Sequence, residues 1–84
     1  MKWRLLIELE VIHIIDGLPK TLRRRLLEHL VKIRSFPSNY SDYHELDAVG
    51  RRIEICVLAG WAIHYWIDSA DRHVKVLALK PADQ

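Results

Sequence analysis

Apolar and polar positions alternate from Trp3 to Leu9. Trp3, Leu5, Ile7 and Leu9 fall on one face, and Arg4, Glu8 and Glu10 on the other beside Leu6. A period of two predicts a strand. From Leu9 onward two readings compete. Leu9, Val11, His13 and Ile15 would extend the strand, while Val11, Ile12, Ile15 and Leu18 keep helical spacing. Asp16-Gly17 looks like a helix end, which favours a short helix. Leu18-Pro19-Lys20 opens a second helix, with Pro near the first turn, where a missing N–H does no harm. Leu22, Leu26, Leu30 and Ile33 form its apolar stripe, widened by Leu27. Ser35-Phe36-Pro37-Ser38-Asn39 stops it.

The second half returns to a period of two. Ile53, Ile55 and Val57 alternate with Arg52, Glu54 and Cys56, and Ala59-Gly60 makes a turn. Trp61, Ile63, Tyr65 and Ile67 then alternate with Ala62, His64, Trp66 and Asp68. After a second turn at Asp68-Ser69-Ala70-Asp71, His73 to Leu79 forms a third strand. Strands joined by tight turns predict an antiparallel meander. The expected fold is therefore α+β: a strand, a two-helix hairpin, then a three-stranded meander, with one layer of helices on one sheet. Residues 1–84 read as a single domain.

Size and composition narrow the chemistry. At 84 residues the chain buries only about 60–65% of its unfolded surface, so there is no room for an enclosed active site. Any chemistry belongs on an open face with a large partner. Cys56 is the single cysteine, which excludes an internal disulfide and a thiolate zinc site and fits a reducing compartment. The apolar run at Leu5-Leu6-Ile7 is too short and too charged to be a signal peptide or membrane span, so a soluble, cytoplasmic protein is expected. The five histidines show no His-x-x-x-His spacing, and neither metal nor cofactor is predicted. The net charge of +2 hides an asymmetry. Residues 1–37 hold eight bases and four acids, and residues 38–84 five bases and seven acids. The basic half could face nucleic acid or be a solvated helix surface.

The polar face of the meander collects Arg52, Glu54, Ala62, His64, Trp66, His73 and Lys75, with Lys80 near the exit. If the strands pair in register, His64 shares a face with Arg52 and Glu54, and Glu54 with His64 could act as an acid–base pair. Ordinary cross-strand polar pairs on a solvated sheet explain the same residues. His44, Glu45 and Asp47 fall in the loop before the second strand, where polar composition suffices. Trp66 beside His64 would present an exposed indole suited to base stacking. Arg23 and Arg24, with Arg25, could meet phosphate, but successive helical positions splay by about 100°, so a solvated face competes.

The order of elements resembles the RelE/ParE superfamily of bacterial toxin–antitoxin proteins. The residues that carry it are the aromatic-led first strand, Leu18-Pro19-Lys20 leading to Arg23 and a Leu-rich helix ending at Pro37, and Leu46. They continue with Arg52-Ile53-Glu54-Ile55, Gly60-Trp61-Ala62-Ile63-His64-Tyr65-Trp66-Ile67-Asp68 and Val74-Lys75-Val76-Leu77-Ala78-Leu79. The short helical hairpin is closer to the RelE branch. That resemblance implies a toxin bound by an antitoxin peptide, and cleavage of mRNA at the ribosome by cations and an acid–base pair on a concave sheet face. Arg52, Glu54 and His64 become the implied catalytic set. Arg23, Arg24, Trp66, His73, Lys75 and Lys80 become the nucleic-acid or partner contacts. A second copy of the chain remains open as a partner. Ala62 stands where the family has Arg, and Lys80-Pro81-Ala82-Asp83-Gln84 stands where it has Arg or His and then Tyr. Two further readings stay open: a RelE-fold binding module without catalysis, and a nucleic-acid-binding protein using the hairpin as a helix-turn-helix.

Overall fold

The computed structural model describes residues 2–82. Asp83 and Gln84 of the expected C-terminal stretch lie outside them. Strand β1 (Arg4–Ile7) leads directly into helix α1 (Leu9–Asp16) and then α2 (Lys20–Ser35). The ambiguity over residues 9–16 resolves as helix. Val11 and Ile15, one turn apart, are buried, and the Gly17 N–H closes the last turn on the carbonyls of His13 and Ile14. In α2, Leu26, Leu30 and Ile33 turn inward, and the helix starts immediately after Pro19. Burying each of those side chains contributes roughly 1.5–3 kcal/mol.

Four further strands follow: β2 (Tyr43–Leu46), β3 (Arg52–Leu58), β4 (Trp61–Asp68) and β5 (His73–Pro81). They form one sheet in the order β1-β5-β4-β3-β2, with β1 parallel to β5 and every other pair antiparallel. The meander thus has four strands rather than three. Tyr43-His44-Glu45-Leu46, expected as loop, forms its edge strand, exposed along its whole length. A fully exposed edge carries no apolar alternation, which is why its sequence reads as loop.

Both helices cover one face of the sheet. Their inward residues pack with Cys56, Ile63, Tyr65, Val74, Val76 and Leu79 in one cluster, flanked by Leu5 and Ile7 from β1 and by Trp3 just before it. The register corrects the expected face of β3. Ala59 and Gly60 both have positive φ (52° and 82°), as the tight two-residue hairpin turn requires, and Leu58 therefore sits opposite Trp61. Cys56 then pairs with Ile63 and Glu54 with Tyr65, on the helix side, while Ile55 pairs with His64 and Val57 with Ala62 on the open side. Ile53, Ile55 and Val57 consequently line the open face, and Cys56 joins the core.

Tyr65 anchors the two layers. Its side chain is fully buried, and its hydroxyl donates to the carbonyl of Pro37 (3.2 Å), tying the exit of α2 to the central strand. Replacing Tyr65 with Phe removes that donor and leaves a buried carbonyl unpaired. A loss of about 1 kcal/mol in urea unfolding is expected, and an unchanged midpoint would contradict the anchoring role.

Candidate functional site

The open face of the sheet is where sequence placed the chemistry, and β4 supplies its centre. Ala62, His64 and Trp66 project there, opposite Trp61, Ile63 and Tyr65 in the core. A β-bulge falls beside His64: His64 opposes Ala78 and Tyr65 opposes Val76, leaving Leu77 without a partner. Such irregularities re-aim neighbouring side chains. Burial, and then the nearby charge of Lys80, hold the His64 imidazole below its ordinary value near 6.5, against a smaller opposing pull from Glu45. A neutral imidazole flanked by a cation and a carboxylate is a competent proton acceptor at neutral pH.

Trp66 is not a free platform. The Arg51 guanidinium lies 4.8 Å from its ring centroid and the Lys75 ammonium 4.9 Å. Each cation is held by a carboxylate: Arg51 Nε donates to Asp47 Oδ2 (2.7 Å), and Lys75 Nζ lies 3.3 Å from Asp68 Oδ2. Asp47 also accepts the backbone N–H groups of Val49 and Arg51, closing the β2–β3 turn. Burial alone would raise the Asp47 carboxyl, but those bonds from Arg51 and Val49 outweigh it and bring it below its usual value. The resulting chain runs from acid to cation to indole to cation to acid, across three elements. Cation–π contacts of this kind contribute about 0.5–1 kcal/mol each at exposed sites.

Not all the residues singled out in the sequence come together. His64, Trp66, His73, Lys75 and Lys80 share the open face. Glu54 does not: it is buried on the helix side, opposite His44, and takes a 2.7 Å bond from Arg52 Nε. The two-residue turn reverses their expected parity, so Glu54 cannot serve His64 and Arg52 faces away from it. Arg23 and Arg24 lie on α2. Arg23 Nη1 reaches the Asp16 carbonyl at the end of α1 (3.5 Å), and Arg24 is exposed. Sequence reasoning passed over Arg51, and it read Glu45 as plain loop. The signal for both was the Ala59-Gly60 turn, which fixes pairing two strands away.

Asp68, Asp71 and His73 present ligand atoms within 4.8 Å of one another at the β4–β5 turn, but Lys75 already neutralises Asp68. On the helix side, His29 Nε2 lies 3.1 Å from Cys56 Sγ, and the His29 ring meets Tyr40 edge-on. Burial, with a small addition from Asp42, pushes the Cys56 thiol up to about 11, so it is held as the unreactive thiol.

No family model and no curated protein matches the sequence. Solved structures do. A chain of the archaeal RelE–RelB complex from Pyrococcus horikoshii OT3 is 24% identical, with a TM-score of 0.85 over 100% of this chain and 99% of that one. A chain of the RelBE2 toxin–antitoxin complex from Mycobacterium tuberculosis gives 11% identity and a TM-score of 0.81, covering 96% and 99%. The isolated E. coli RelE toxin gives 18% and 0.72, covering 98% and 86%. The fold is the RelE toxin fold. Within that fold, β3 gives this chain an aliphatic stripe on its open face, and the polar groups there stand on β4, β5 and the β2–β3 turn. Among the described residues no helix is long and apolar enough to cross a membrane.

Two histidines set the acid limit of this RelE fold. Burial, reinforced by Lys32, holds His29 below its ordinary value, as burial and Lys80 hold His64. A lowered folded value means that the unfolded chain takes up the proton first. Stability is therefore full above about pH 6.5 and is lost as pH falls through the folded values. The lowered Asp47 and Asp68 carboxyls extend the loss below about pH 4. Thermal melts should show Tm falling between about pH 7.5 and pH 5.5, and the slope should flatten in His29→Gln. A flat wild-type profile would contradict this.

Proposed function

We propose that the chain is a single-domain, cytoplasmic RelE-type toxin that is held by a peptide antitoxin. The observation that carries this reading is the match over essentially the full length of both chains to the archaeal RelE–RelB complex. A related E. coli RelE variant is solved with a peptide of its antitoxin, RelB. The surface suits such a partner. Leu27 and Val31, one turn apart on α2, and Leu9 and Ile12 on α1 keep between 38% and 65% of their area exposed, and apolar surface of that kind is what a partner chain covers.

The placement of His64 favours a specific chemistry for the toxin: cleavage of mRNA at the ribosome. The neutral imidazole takes the proton from a ribose 2′-hydroxyl. The oxygen attacks the adjacent phosphorus, the bond from phosphorus to the 5′-oxygen breaks, and the proton returns to the leaving oxygen. Lys80, whose charge acts on His64, stands ready for the phosphate. Arg52 and Glu54 take no part, since they belong to the opposite face.

Two measurements separate these layers. Induced expression without a partner should arrest growth, and co-expression with the cognate antitoxin should restore it; harmless expression would sink the toxin reading. Primer extension on ribosome-bound message should show cuts that fall about 100-fold or more in His64→Ala. Arrest without cuts would retain the toxin and remove the nuclease.

A further inference from the structure

A groove of about 430 Å³ opens where β1 begins and α2 ends, lined by Lys2, Trp3, Arg34, Ser35 and Phe36. A second recess of about 420 Å³ shares Lys2, Trp3 and Arg34 and continues along Arg4 and Leu5. No acidic side chain lines either one. Arg72 adds a further cation, with its guanidinium 5.9 Å from the Trp3 ring centroid and its carbonyl accepting the Arg4 N–H (2.9 Å). Among the described residues none of these four cations makes an ion pair. That separates them from Arg51 and Lys75 on the open face, whose charges are matched by Asp47 and Asp68.

Packing accounts for part of this. Trp3 leans on the core, and Arg34 in the last turn of α2 complements the negative end of the helix. Neither explains Lys2, Arg4 and Arg72, which come from the strand start and the β4–β5 loop, nor Phe36, which keeps 60% of its area in water beside them. Convergent unpaired cations attract an anion. An acidic peptide would need the cations alone. Exposed aromatic rings next to a cationic track are the arrangement that holds single strands, with phosphate on the cations and bases on the rings.

We propose that this groove binds a segment of single-stranded RNA, with backbone phosphate on Arg34, Lys2 and Arg4 and a base stacked on Phe36. The inference goes beyond the toxin reading and does not depend on cleavage. The groove lies at the β1 edge, two strands from His64 and displaced along the sheet toward the β4–β5 turn, since Arg4 pairs with His73 and His73 with Asp68. The volume is in the range that accommodates a nucleotide-sized ligand.

Fluorescence anisotropy with a labelled single-stranded oligoribonucleotide of about 12 nucleotides tests it on the full chain. The wild type should bind with an affinity that falls steeply with added salt. Arg34→Ala and Phe36→Ala should each weaken binding about tenfold. Arg25→Ala, which removes the same charge elsewhere on α2, should change it by less than about twofold. Circular dichroism and Tm confirm that the variants fold. Absence of binding overturns the proposal, and so does an equal loss in Arg25→Ala and Arg34→Ala, which would mark diffuse charge attraction. Displacement of the RNA by poly-glutamate, with Phe36→Ala silent, would also overturn it and assign the groove to an acidic protein segment.

Discussion

Side-chain parity along β4 governs what can meet what in this molecule. β4 lies in the middle of the sheet, paired to β3 by a two-residue turn and to β5 by a longer one. Its odd positions, Trp61, Ile63 and Tyr65, face the helices, so its even positions must lie on the opposite, open side of the sheet. Because the turn at Ala59-Gly60 fixes Leu58 opposite Trp61, the same parity passes to β3, and from β3 to β2. Sliding β3 against β4 by one residue would carry Cys56 out of the core and put Ile55 in its place. The buried Tyr65 hydroxyl on the Pro37 carbonyl separately locks β4 to the end of α2.

The helix layer then decides how far each face can be apolar. The inner face is covered where α1 and α2 reach it, and there the sheet offers Ile63, Val74, Val76 and Leu79. At the β2–β3 side a polar pair takes over. Glu54 is buried, yet it is tolerable because Arg52 supplies a charge-assisted bond from a largely exposed position. The outer face has no covering layer and stabilises itself. Ile53 and Ile55 are buried among their own neighbours, and the indole of Trp66 is flanked by Arg51 and Lys75. Each of those cations is in turn neutralised locally, so the two add little net charge to this face.

Most of the fold was legible in the sequence. The alternation at Trp3–Ile7, the stripe on α2, and the patterns of β4 and β5 all correspond to the observed elements, and their order alone resembled RelE. Two things were not. β2 carries Tyr43-His44-Glu45-Leu46 on an exposed edge, where no burial pattern exists to betray a strand. β3 misled in the opposite way. Its aliphatic residues Ile53, Ile55 and Val57 read as a core face, yet the small Cys56 was the residue that fits beneath His29. The decisive information was in the turn. A two-residue hairpin with positive φ at both positions dictates parity whatever the flanking hydrophobicity. Taking the turn before the pattern would have removed Glu54 from the catalytic set and brought Glu45 into view.

Charge placement follows from the same geometry and bears on what the molecule can bind. A cation next to its own carboxylate contributes little to the long-range field, since the pair acts as a dipole whose potential decays quickly and is further screened by salt. On the open face, Arg51 and Lys75 are in that state, which leaves Lys80 beside His64 as the cation that acts on the imidazole. At the β1 edge the situation is reversed, because Lys2, Arg4, Arg34 and Arg72 lack ion-pair partners among the described residues. Much of the basic excess visible in residues 1–37 lies exposed along α2, at Lys20, Arg24, Arg25 and Lys32. Part of it is concentrated where the first strand meets the end of α2, two strands away from the histidine that could use a bound nucleic acid. A phosphate chain attracted to that edge would be brought toward the open face by electrostatics that β3, with its aliphatic stripe, does not supply.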